Sequence, residues 1–278
     1  VEYLPYGSGT PETFFEDFAE NGEVYSLCTA PDGSIYAGLK GLAVPGAEHG
    51  WLPVIYHISP EGKLLNSFTV GEREWNIVDS MATDAQGRLY MRMRMQEDGS
   101  YVRIYSAEGE LIGTVADDNS YAVQGAGALG QGKDGKVYAA AQAVGDATAG
   151  NIAMTLVSVD PESLRFVPVA GGENVICSAD TIYLWKMVAA GVSETADFIL
   201  WGYNGVDTYR LGETEFTRVQ ENWEMPCGTE GTCVVLVPDG RILYIGASDG
   251  FQRTTADGVE ISGKDPAQTV LYYEPLVK

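Results

Sequence analysis

The residues best suited to bind a ligand stand together in Gly41–Trp51, which ends in Ala-Glu-His-Gly-Trp. His49 supplies an imidazole, the residue before it a carboxylate, and Trp51 an indole that could stack on a sugar ring or an apolar side chain. Trp75 and Trp223 have similar polar neighbours, in Glu-Trp-Asn and Asn-Trp-Glu. Each tryptophan has two interpretations, a binding rim or packing between structural repeats.

The segment Tyr90–Met95 alternates methionine and arginine. Successive side chains of a β-strand point to opposite faces, so Arg92 and Arg94 share one face with Tyr90, and the methionines share the other. A guanidinium is a strong partner for a carboxylate or another anion, which makes Arg92 and Arg94 candidates for an anion site. The alternative is structural, because arginines inside a stack of sheets need acidic partners and this chain is rich in acids.

Catalytic motifs are absent from the sequence, which has no G-x-S-x-G turn, no G-x-x-x-x-G-K-[ST] loop and no H-E-x-x-H site. A glycoside-processing enzyme needs two inward carboxylates, and Asp79 is the best placed single acid for that role. The acids in Asp117-Asp-Asn119 and at Asp146 lack EF-hand spacing, and we interpret them as turn residues. We therefore expect neither a metal nor a cofactor.

Four cysteines are present, and two stand close together in Cys227-Gly-Thr-Glu-Gly-Thr-Cys233. Cys227 and Cys233 either form a local disulfide, if the protein is extracellular, or remain free. Cys28 and Cys177 lie in apolar runs and are interpreted as small core residues.

A sequence pattern recurs along the chain, and the strands that it predicts must position all of these residues. The pattern is an apolar run, a tight turn that usually contains glycine, and a second run that carries a tyrosine. It stands at Val24–Ala37, Val78–Met91, Gly127–Ala139 and Cys233–Tyr244. The intervals are roughly 50 residues, and the last is about twice as long. The long interval predicts a hidden hairpin at Val175–Trp185, with Ala179-Asp180 at its turn.

A second hairpin follows the first in four units, at Val54–Phe68, Val102–Val115, Thr155–Val169 and Phe198–Val219. Four antiparallel strands in about 50 residues are typical of one blade of a β-propeller. The sequence therefore predicts an all-β fold, with residues 1–278 as a single propeller domain of five four-stranded blades, and six blades as the alternative. The predicted blades are approximately 23–72, 73–119, 120–172, 173–220, and 221–278 together with 1–6.

The last unit is one strand short, and Val1–Tyr6 is a spare extended segment. We expect this segment to close the ring as the outer strand of the last blade, with a short helix or a loop over Pro11–Asn21. The tight turns then lie at one end of the blades and the long loops at the other, where binding residues collect. The long loops are Lys40–Leu52, Val144–Asn151, Ala189–Asp197 and Ala247–Gln268.

The formal net charge of the 278-residue chain is −22, from 39 acidic and 17 basic residues. Such a surface repels nucleic-acid phosphates and anionic lipids, so neither is an expected partner. No stretch approaches the roughly 20 apolar residues that span a bilayer. The chain opens at Val1 without a signal peptide, so we expect targeting information to lie outside it.

The C-terminal part of the chain carries a family resemblance, in segments Leu200–Asn204, Thr217–Trp223, Val235–Leu243 and Val270–Pro275. Their order resembles the N-terminal β-propeller region of large extracellular solute-binding lipoproteins of Gram-positive (Firmicutes-type) bacteria. There, a similar Asp-Gly-Arg-Ile strand leads into a periplasmic-binding-protein-like domain. The resemblance implies an extracellular, surface-anchored module beside an ABC-type uptake system, with a downstream solute-binding domain as partner. It carries over no functional residue.

Three functions remain open at this point. The first is a non-catalytic extracellular module that binds a carbohydrate or a peptide, and the second is a glycoside-processing propeller enzyme with inward carboxylates. The third is a spacer that orients a downstream domain. The candidate ligand-binding residues are His49, Trp51, Trp75, Arg92, Arg94 and Trp223.

Overall fold

The computed structural model describes residues 2–3, 12–18, 23–43, 51–70, 77–95, 99–115, 121–123, 129–143, 152–172, 176–178, 186–189, 198–202, 205–212, 216–223, 233–236, 241–247, 252–254, 260–262 and 269–275. These residues form strands and turns, which confirms the all-β prediction, and no helix among them could cross a membrane. The chain divides into two compact units, Val1–Asp118 with Asp160–Arg165, and Asn119–Val159 with Phe166–Lys278. The single-domain assignment remains a prediction.

The first unit contains a small strand pair and two four-stranded antiparallel sheets, each sheet built from consecutive strands. The pair is β1 (Glu2–Tyr3) and β2 (Glu12–Thr13). The first sheet is β3 (Glu23–Thr29), β4 (Ile35–Ala43), β5 (Trp51–Ile58) and β6 (Leu64–Thr69). The second sheet is β7 (Ile77–Thr83), β8 (Leu89–Met95), β9 (Gly99–Tyr105) and β10 (Leu111–Val115).

The second unit contains three larger sheets and one short hairpin. The third sheet is β11 (Tyr121–Val123), β12 (Leu129–Gln131), β13 (Val137–Ala143), β14 (Ile152–Asp160), β15 (Arg165–Pro168) and β16 (Ile176–Ser178). The fourth is β17 (Lys186–Ala189), β18 (Phe198–Gly202), β19 (Gly205–Leu211) and β20 (Phe216–Trp223). The remaining strands are β21 (Cys233–Leu236), β22 (Arg241–Ala247), β23 (Gln252–Thr254), β24 (Glu260–Ser262) and β25 (Thr269–Pro275).

The predicted tight turns are confirmed at the ends of five hairpins. In the first, the Gly33 N–H donates to the Ala30 carbonyl at 2.9 Å, and the Ala30 N–H donates to the Ser34 carbonyl at 2.8 Å. The same pair of hydrogen bonds closes the other four. Each turn needs one residue with positive φ, which glycine adopts without steric cost. The five glycines are Gly33, Gly62, Gly87, Gly109 and Gly135.

The first strand of the hairpin predicted at Val175–Trp185 belongs to the third sheet, and the rest of that hairpin lies outside the described residues. Ile176–Ser178 pairs with Ile152–Met154 of β14, on the side of β14 that β15 also uses. The outer strand of the third sheet is therefore in two pieces, separated by a turn in which the Gly172 N–H donates to the Val169 carbonyl at 2.8 Å. Gly171 has φ of 76° there, so the chain can leave the sheet and rejoin it.

The fourth sheet also differs from the prediction. The stretch predicted as a second hairpin over Phe198–Val219 holds three strands, β18, β19 and β20, and β17 pairs with β18 at the other edge. The predicted turn at Ala179-Asp180 lies outside the described residues. In the last sheet, β22 pairs with both β21 and β25, so three strands are described, as expected from the short final unit.

The N-terminal strand has a partner inside its own unit. Glu2 pairs with Thr13, and Tyr3 pairs with Glu12. The predicted closure of the last sheet by residues 1–6 therefore remains a prediction. Residues 14–18 follow as an irregular segment, so the loop alternative for this region is the one observed there.

The core of the first unit lies on both faces of the first sheet. One face packs against the second sheet through a cluster whose largest fully buried members are Tyr36, Ile55, Leu89, Met91 and Met93. The other face is covered by the N-terminal segment, whose Phe14, Phe15 and Phe18 pack on a cluster that includes Ala37, Leu39, Tyr56 and Ile58. Burial of large apolar side chains on two faces fixes the first sheet between its neighbours.

Candidate functional site

The first strands of the sheets contact one another directly. Ser26 on β3 donates its hydroxyl to the Val78 carbonyl on β7 at 3.0 Å, and Thr83 on β7 donates to the Thr29 carbonyl on β3 at 2.8 Å. In the second unit, β12 contacts β17, and β17 contacts β21. Neighbouring first strands are what a propeller places around its axis, so within each unit these strands form the inner side.

A β-bulge recurs at one level of these inner strands. Val24 pairs with Leu39 and Ser26 with Gly38, so Tyr25 is an extra residue in β3. In the second sheet, Val78 pairs with Met93 and Ser80 with Arg92, so Asp79 is the extra residue. The motif is the same in both strands, Val-x-Ser.

The third sheet interrupts its first strand at the equivalent level. Val123 pairs with Ala141 and Leu129 pairs with Ala139, which leaves Ala140 opposite the break between β11 and β12. The levels correspond because Gly38, Arg92 and Ala140 each follow the repeat tyrosine by two positions. Bulges often turn a side chain towards a ligand, and a bulge repeated at one level is the best candidate for a binding site here.

The bulged strand β3 exposes apolar surface. Tyr25 is 45% exposed, Leu27 is 50% exposed and Val24 is 40% exposed. On the inner strand of a repeat fold these side chains would ordinarily pack against a neighbour, and contiguous exposed apolar residues mark interaction sites. A phenol ring with two aliphatic neighbours can stack on the apolar face of a ligand and hydrogen-bond through its hydroxyl.

A polar cluster at the opposite end of the first sheet contains the residue types of a hydrolytic triad, but its hydrogen bonds run in a different direction. The buried Ser34 hydroxyl lies 2.6 Å from Asp32 Oδ1 and 2.8 Å from His57 Nε2. The hydroxyl has one proton, and a carboxylate only accepts, so Ser34 donates to Asp32 and His57 must donate its Nε2–H to Ser34. A nucleophilic serine would give its proton to the imidazole. Ser34 is therefore a structural serine.

The surroundings of His57 support that interpretation. Its ring stacks on Tyr36 at 4.1 Å between centroids, and both side chains are buried. Burial holds the pKa of His57 below its ordinary value, and the hydrogen bond from Ser34 holds the pKa of Asp32 below its ordinary value. Burial raises the pKa of Tyr36 to about 12. The imidazole is neutral at pH 7 and acts as a hydrogen-bond donor.

The turn of the second sheet uses its carboxylate in the same structural way. Asp84 Oδ1 accepts the backbone N–H groups of Gln86 and Arg88 at 2.9 and 3.0 Å. Asp84 Oδ2 accepts the Arg88 Nε–H at 2.6 Å and the Tyr90 hydroxyl at 2.9 Å. These four bonds use the acceptor sites of a carboxylate, so the buried Asp84 holds the hairpin together.

The structure brings few of the predicted site residues together. His49 and Trp75 lie outside the described residues. Trp51 is the first residue of β5 and pairs with Ala43, so it belongs to a strand and not to the predicted loop. Trp223 is the last residue of β20 and pairs with Val206, so it also lies in a strand.

The two candidate arginines lie on β8, beside the bulge of β7. Arg92 pairs with Ser80 and is 3% exposed, which fits the structural interpretation better than an open anion site. Arg94 pairs with Ile77 near the end of the strand. The methionines Met91 and Met93 are buried on the face that packs on the first sheet, as the alternation predicts.

Sequence reasoning missed Tyr25 and Leu27. Their signal was the alignment of Val24-Tyr-Ser26 with Val78-Asp-Ser80, in which one residue interrupts an otherwise alternating strand. Asp117-Asp-Asn119, Asp146 and Cys227 lie outside the described residues. Among the residues that are described, no group of three His, Cys, Asp or Glu side chains could hold a metal ion.

Comparison with known proteins identifies the fold. No family model matches the chain, and no curated protein matches it in sequence. The PQQ-bound aldose sugar dehydrogenase of Streptomyces coelicolor is similar in structure, with 14% identity, a TM-score of 0.50, and coverage of 98% of this chain and 87% of that one. The soluble apo-form aldose sugar dehydrogenase of Escherichia coli has 10% identity, a TM-score of 0.50, and coverage of 99% and 90%.

An apocarotenoid oxygenase of Synechocystis is also similar, with 10% identity, a TM-score of 0.51, and coverage of 99% of this chain and 67% of that one. The two dehydrogenases are β-propellers, and the four-stranded antiparallel sheets of this chain agree with that architecture. At this level of identity the likeness concerns the fold alone. The chain therefore has a β-propeller fold.

Proposed function

We propose that this chain is a non-catalytic binding module whose ligand contacts the bulged level of the inner strands. The observation that carries the proposal is Tyr25, the extra residue of the β3 bulge, which is half exposed beside Leu27 and Val24. The polar clusters in the described hairpin turns do not offer a competing catalytic site, because Ser34 and Asp84 are fully engaged in hydrogen bonds.

The proposal includes a ring of five blades, with residues 1–6 as the outer strand of the last one. In such a ring the inner strands face the central axis, so the bulges of β3 and β7 would line an axial channel. A site on rigid strands holds its side chains in fixed positions, which lowers the entropic cost of binding. The ligand is a carbohydrate or a peptide, since a phenol ring suits either.

We further propose that the module acts outside the cell, anchored at the surface beside a solute-uptake protein, with a downstream solute-binding domain as its partner. The resemblance of Val235–Leu243 and Val270–Pro275 to surface lipoproteins supports this setting. The strongly acidic surface, with a net charge of −22, is consistent with a neutral or cationic ligand and disfavours an anionic one.

A glycan array and a short-peptide array, each probed with the purified chain, test the proposal. We expect binders that Tyr25→Ala weakens by about tenfold or more, as expected for an aromatic contact at the centre of a site. Trp51→Ala tests the predicted rim on the same arrays. Val167→Ala is the control, because Val167 is 44% exposed on the outer strand β15, far in sequence from the bulge.

Two results would contradict the proposal. If neither array gives a binder, the chain has no carbohydrate or peptide ligand among those tested. If Tyr25→Ala and Val167→Ala weaken binding equally, the ligand does not bind at the bulged level. Hydrolysis of aryl glycosides that Asp79→Asn abolishes would favour the glycoside-processing alternative, because Asp79 is the carboxylate at the second bulge.

A further inference from the structure

We infer, on the basis of the proposed function, that Ser26 is a positioning residue of the ligand site. Ser26 directly follows Tyr25, the extra residue of β3. Its hydroxyl donates to the Val78 carbonyl at 3.0 Å, and Val78 directly precedes Asp79, the extra residue of β7. A single hydrogen bond therefore joins the backbone beside one bulge to the backbone beside the other.

This hydrogen bond restrains the backbone of both bulges. The Val78 carbonyl and the Asp79 N–H belong to the same planar peptide group, so a donor on that carbonyl restricts the rotation of the chain into the second bulge. On β3, the same bond favours one rotamer of Ser26, directly after Tyr25. A bulge disrupts the regular ladder of backbone hydrogen bonds, and the hydroxyl adds a bond from one sheet to the next at that level. The relative position of the two extra residues is thereby fixed in the absence of a ligand.

Gly38, which pairs with Ser26 on β4, leaves space for the hydroxyl. A Cβ at Gly38 would lie 2.7 Å from the Ser26 Oγ, which is too close for van der Waals contact, whereas the next nearest atoms, those of Met81, are 3.5 Å away. The φ of Gly38 is not left-handed, so the backbone conformation does not require glycine there. The equivalent residue is Arg92 in the second sheet and Ala140 in the third. The glycine in the first sheet is therefore explained by the Ser26 hydroxyl.

A second hydrogen bond between the same two strands provides a matched comparison. Thr83 on β7 donates its hydroxyl to the Thr29 carbonyl on β3 at 2.8 Å. Thr29 and Thr83 are the last residues of their strands, next to the hairpin turns and away from the bulges. Both bonds join a side-chain hydroxyl to a backbone carbonyl of the neighbouring sheet, so loss of either should destabilise the contact between the sheets to a similar extent. Only loss of the Ser26 hydroxyl should disturb the ligand site.

Amide hydrogen exchange of the full chain, followed by mass spectrometry of overlapping peptides, tests the positioning without a ligand. Ser26→Ala should raise the exchange rates of the amides around both bulges by about fivefold, because one hydrogen bond no longer opposes local opening. Gly38→Ala should have the same effect, since the added methyl group displaces the hydroxyl. Thr83→Val should raise the exchange rates next to the turns and leave those at the bulges unchanged.

The binding measurement uses the glycan or peptide that binds the wild-type chain most tightly on the arrays, titrated against each variant. Ser26→Ala should weaken its binding by about fivefold, because the bulges must then be ordered when the ligand binds. Thr83→Val should leave the affinity unchanged while lowering the melting temperature by a similar amount. Gly38→Ala should weaken binding as Ser26→Ala does. In the variant that combines the two, Gly38→Ala should add no further loss, since the oxygen with which the methyl group collides is already gone.

Any of four results would overturn the inference. They are unchanged exchange at the bulges in Ser26→Ala, unchanged affinity in Ser26→Ala, equal loss of affinity in Ser26→Ala and Thr83→Val, and additive losses for Ser26→Ala and Gly38→Ala. If neither array gives a binder, the proposed function fails, and the exchange rates alone decide whether Ser26 holds the two bulges together. Circular dichroism and a melting curve for every variant verify that it is folded.

Discussion

At the scale of single residues, Ser34 has the neighbours of a nucleophilic serine and differs from one only in the direction of its hydrogen bonds. Its neighbours Asp32 and His57 are those of a hydrolase, yet the proton of the Ser34 hydroxyl points to Asp32 and the imidazole is the donor. Asp32 is two residues before Ser34 in the same turn, whereas His57 lies on β5, so the geometry of the hairpin decides the outcome. The cluster should therefore contribute to stability and not to turnover.

Ser34→Ala should lower the free energy of unfolding by about 1 to 3 kcal/mol, because it leaves the buried His57 donor without its acceptor. Urea denaturation followed by tryptophan fluorescence measures the change. Ser163→Ala is the matched control, since Ser163 donates to the Asp160 carboxylate in an exposed turn and its loss should cost much less. Equal costs at the two serines would contradict the structural role of Ser34.

The protonation of His57 should make the fold less stable in acid. Its pKa is held low by burial, so below about pH 6.5 the unfolded chain binds a proton that the folded protein does not, and stability falls as the pH falls. Asp32, Glu108, Tyr36 and Cys28 are the ionisable groups around this site. The shift of Asp32 acts in the same direction at lower pH.

Melting curves at about pH 7.5 and about pH 5.5 measure this dependence. His57→Gln should reduce the difference between the two melting temperatures, because the side-chain amide can still donate to Ser34 but does not titrate. The chain has two histidines, so His49→Gln serves as the comparison and measures how much of the difference comes from the other histidine. A wild-type protein that is more stable at the lower pH would contradict the prediction.

At the scale of elements, two glycine turns distinguish the free-energy cost of a strained backbone from the cost of a steric clash. Gly87 has φ of 78° with no atom near the position of an added Cβ, whereas at Gly109, with φ of 88°, that position lies 2.6 Å from the Phe68 ring. Gly87→Ala should cost about 1 to 2 kcal/mol, from the left-handed conformation alone. Gly109→Ala should cost more, since Phe68 must also move. Denaturation of both variants tests this, and an equal cost would show that Phe68 accommodates the methyl group.

Features that depend on local sequence could be predicted, whereas the pairing of strands and their register could not. Turn chemistry is local, so Asp32-Gly33 and Lys133-Asp-Gly135 predicted their hairpins correctly. Ile176–Ser178 has the apolar composition of a first strand, but after the turn at Gly171 it pairs with β14. Hydrophobic periodicity alone does not reveal that pairing. The bulge at Tyr25 was missed for a similar reason, because an extra residue changes the register without changing the composition of the strand.

At the scale of the whole molecule, the main prediction about the architecture is that the N-terminal strand completes the last sheet. Removing residues 1–10 should lower the melting temperature markedly if the N-terminal strand completes the last sheet, as a closed ring requires. Loss of the two-residue pairing between β1 and β2 alone should have a small effect. A melting temperature that does not change would rule out closure by this segment.

Each sheet of the first unit comes from one uninterrupted stretch of chain, 23–69 for the first and 77–115 for the second. A ribosome therefore delivers every strand of the first sheet before it begins the next, and loops of this length close quickly. Tyr36 and Ile55 are sheltered by the second sheet as soon as that sheet emerges. Residues 23–115 can thus acquire their native strand pairing during synthesis, before the strands of the second unit are made.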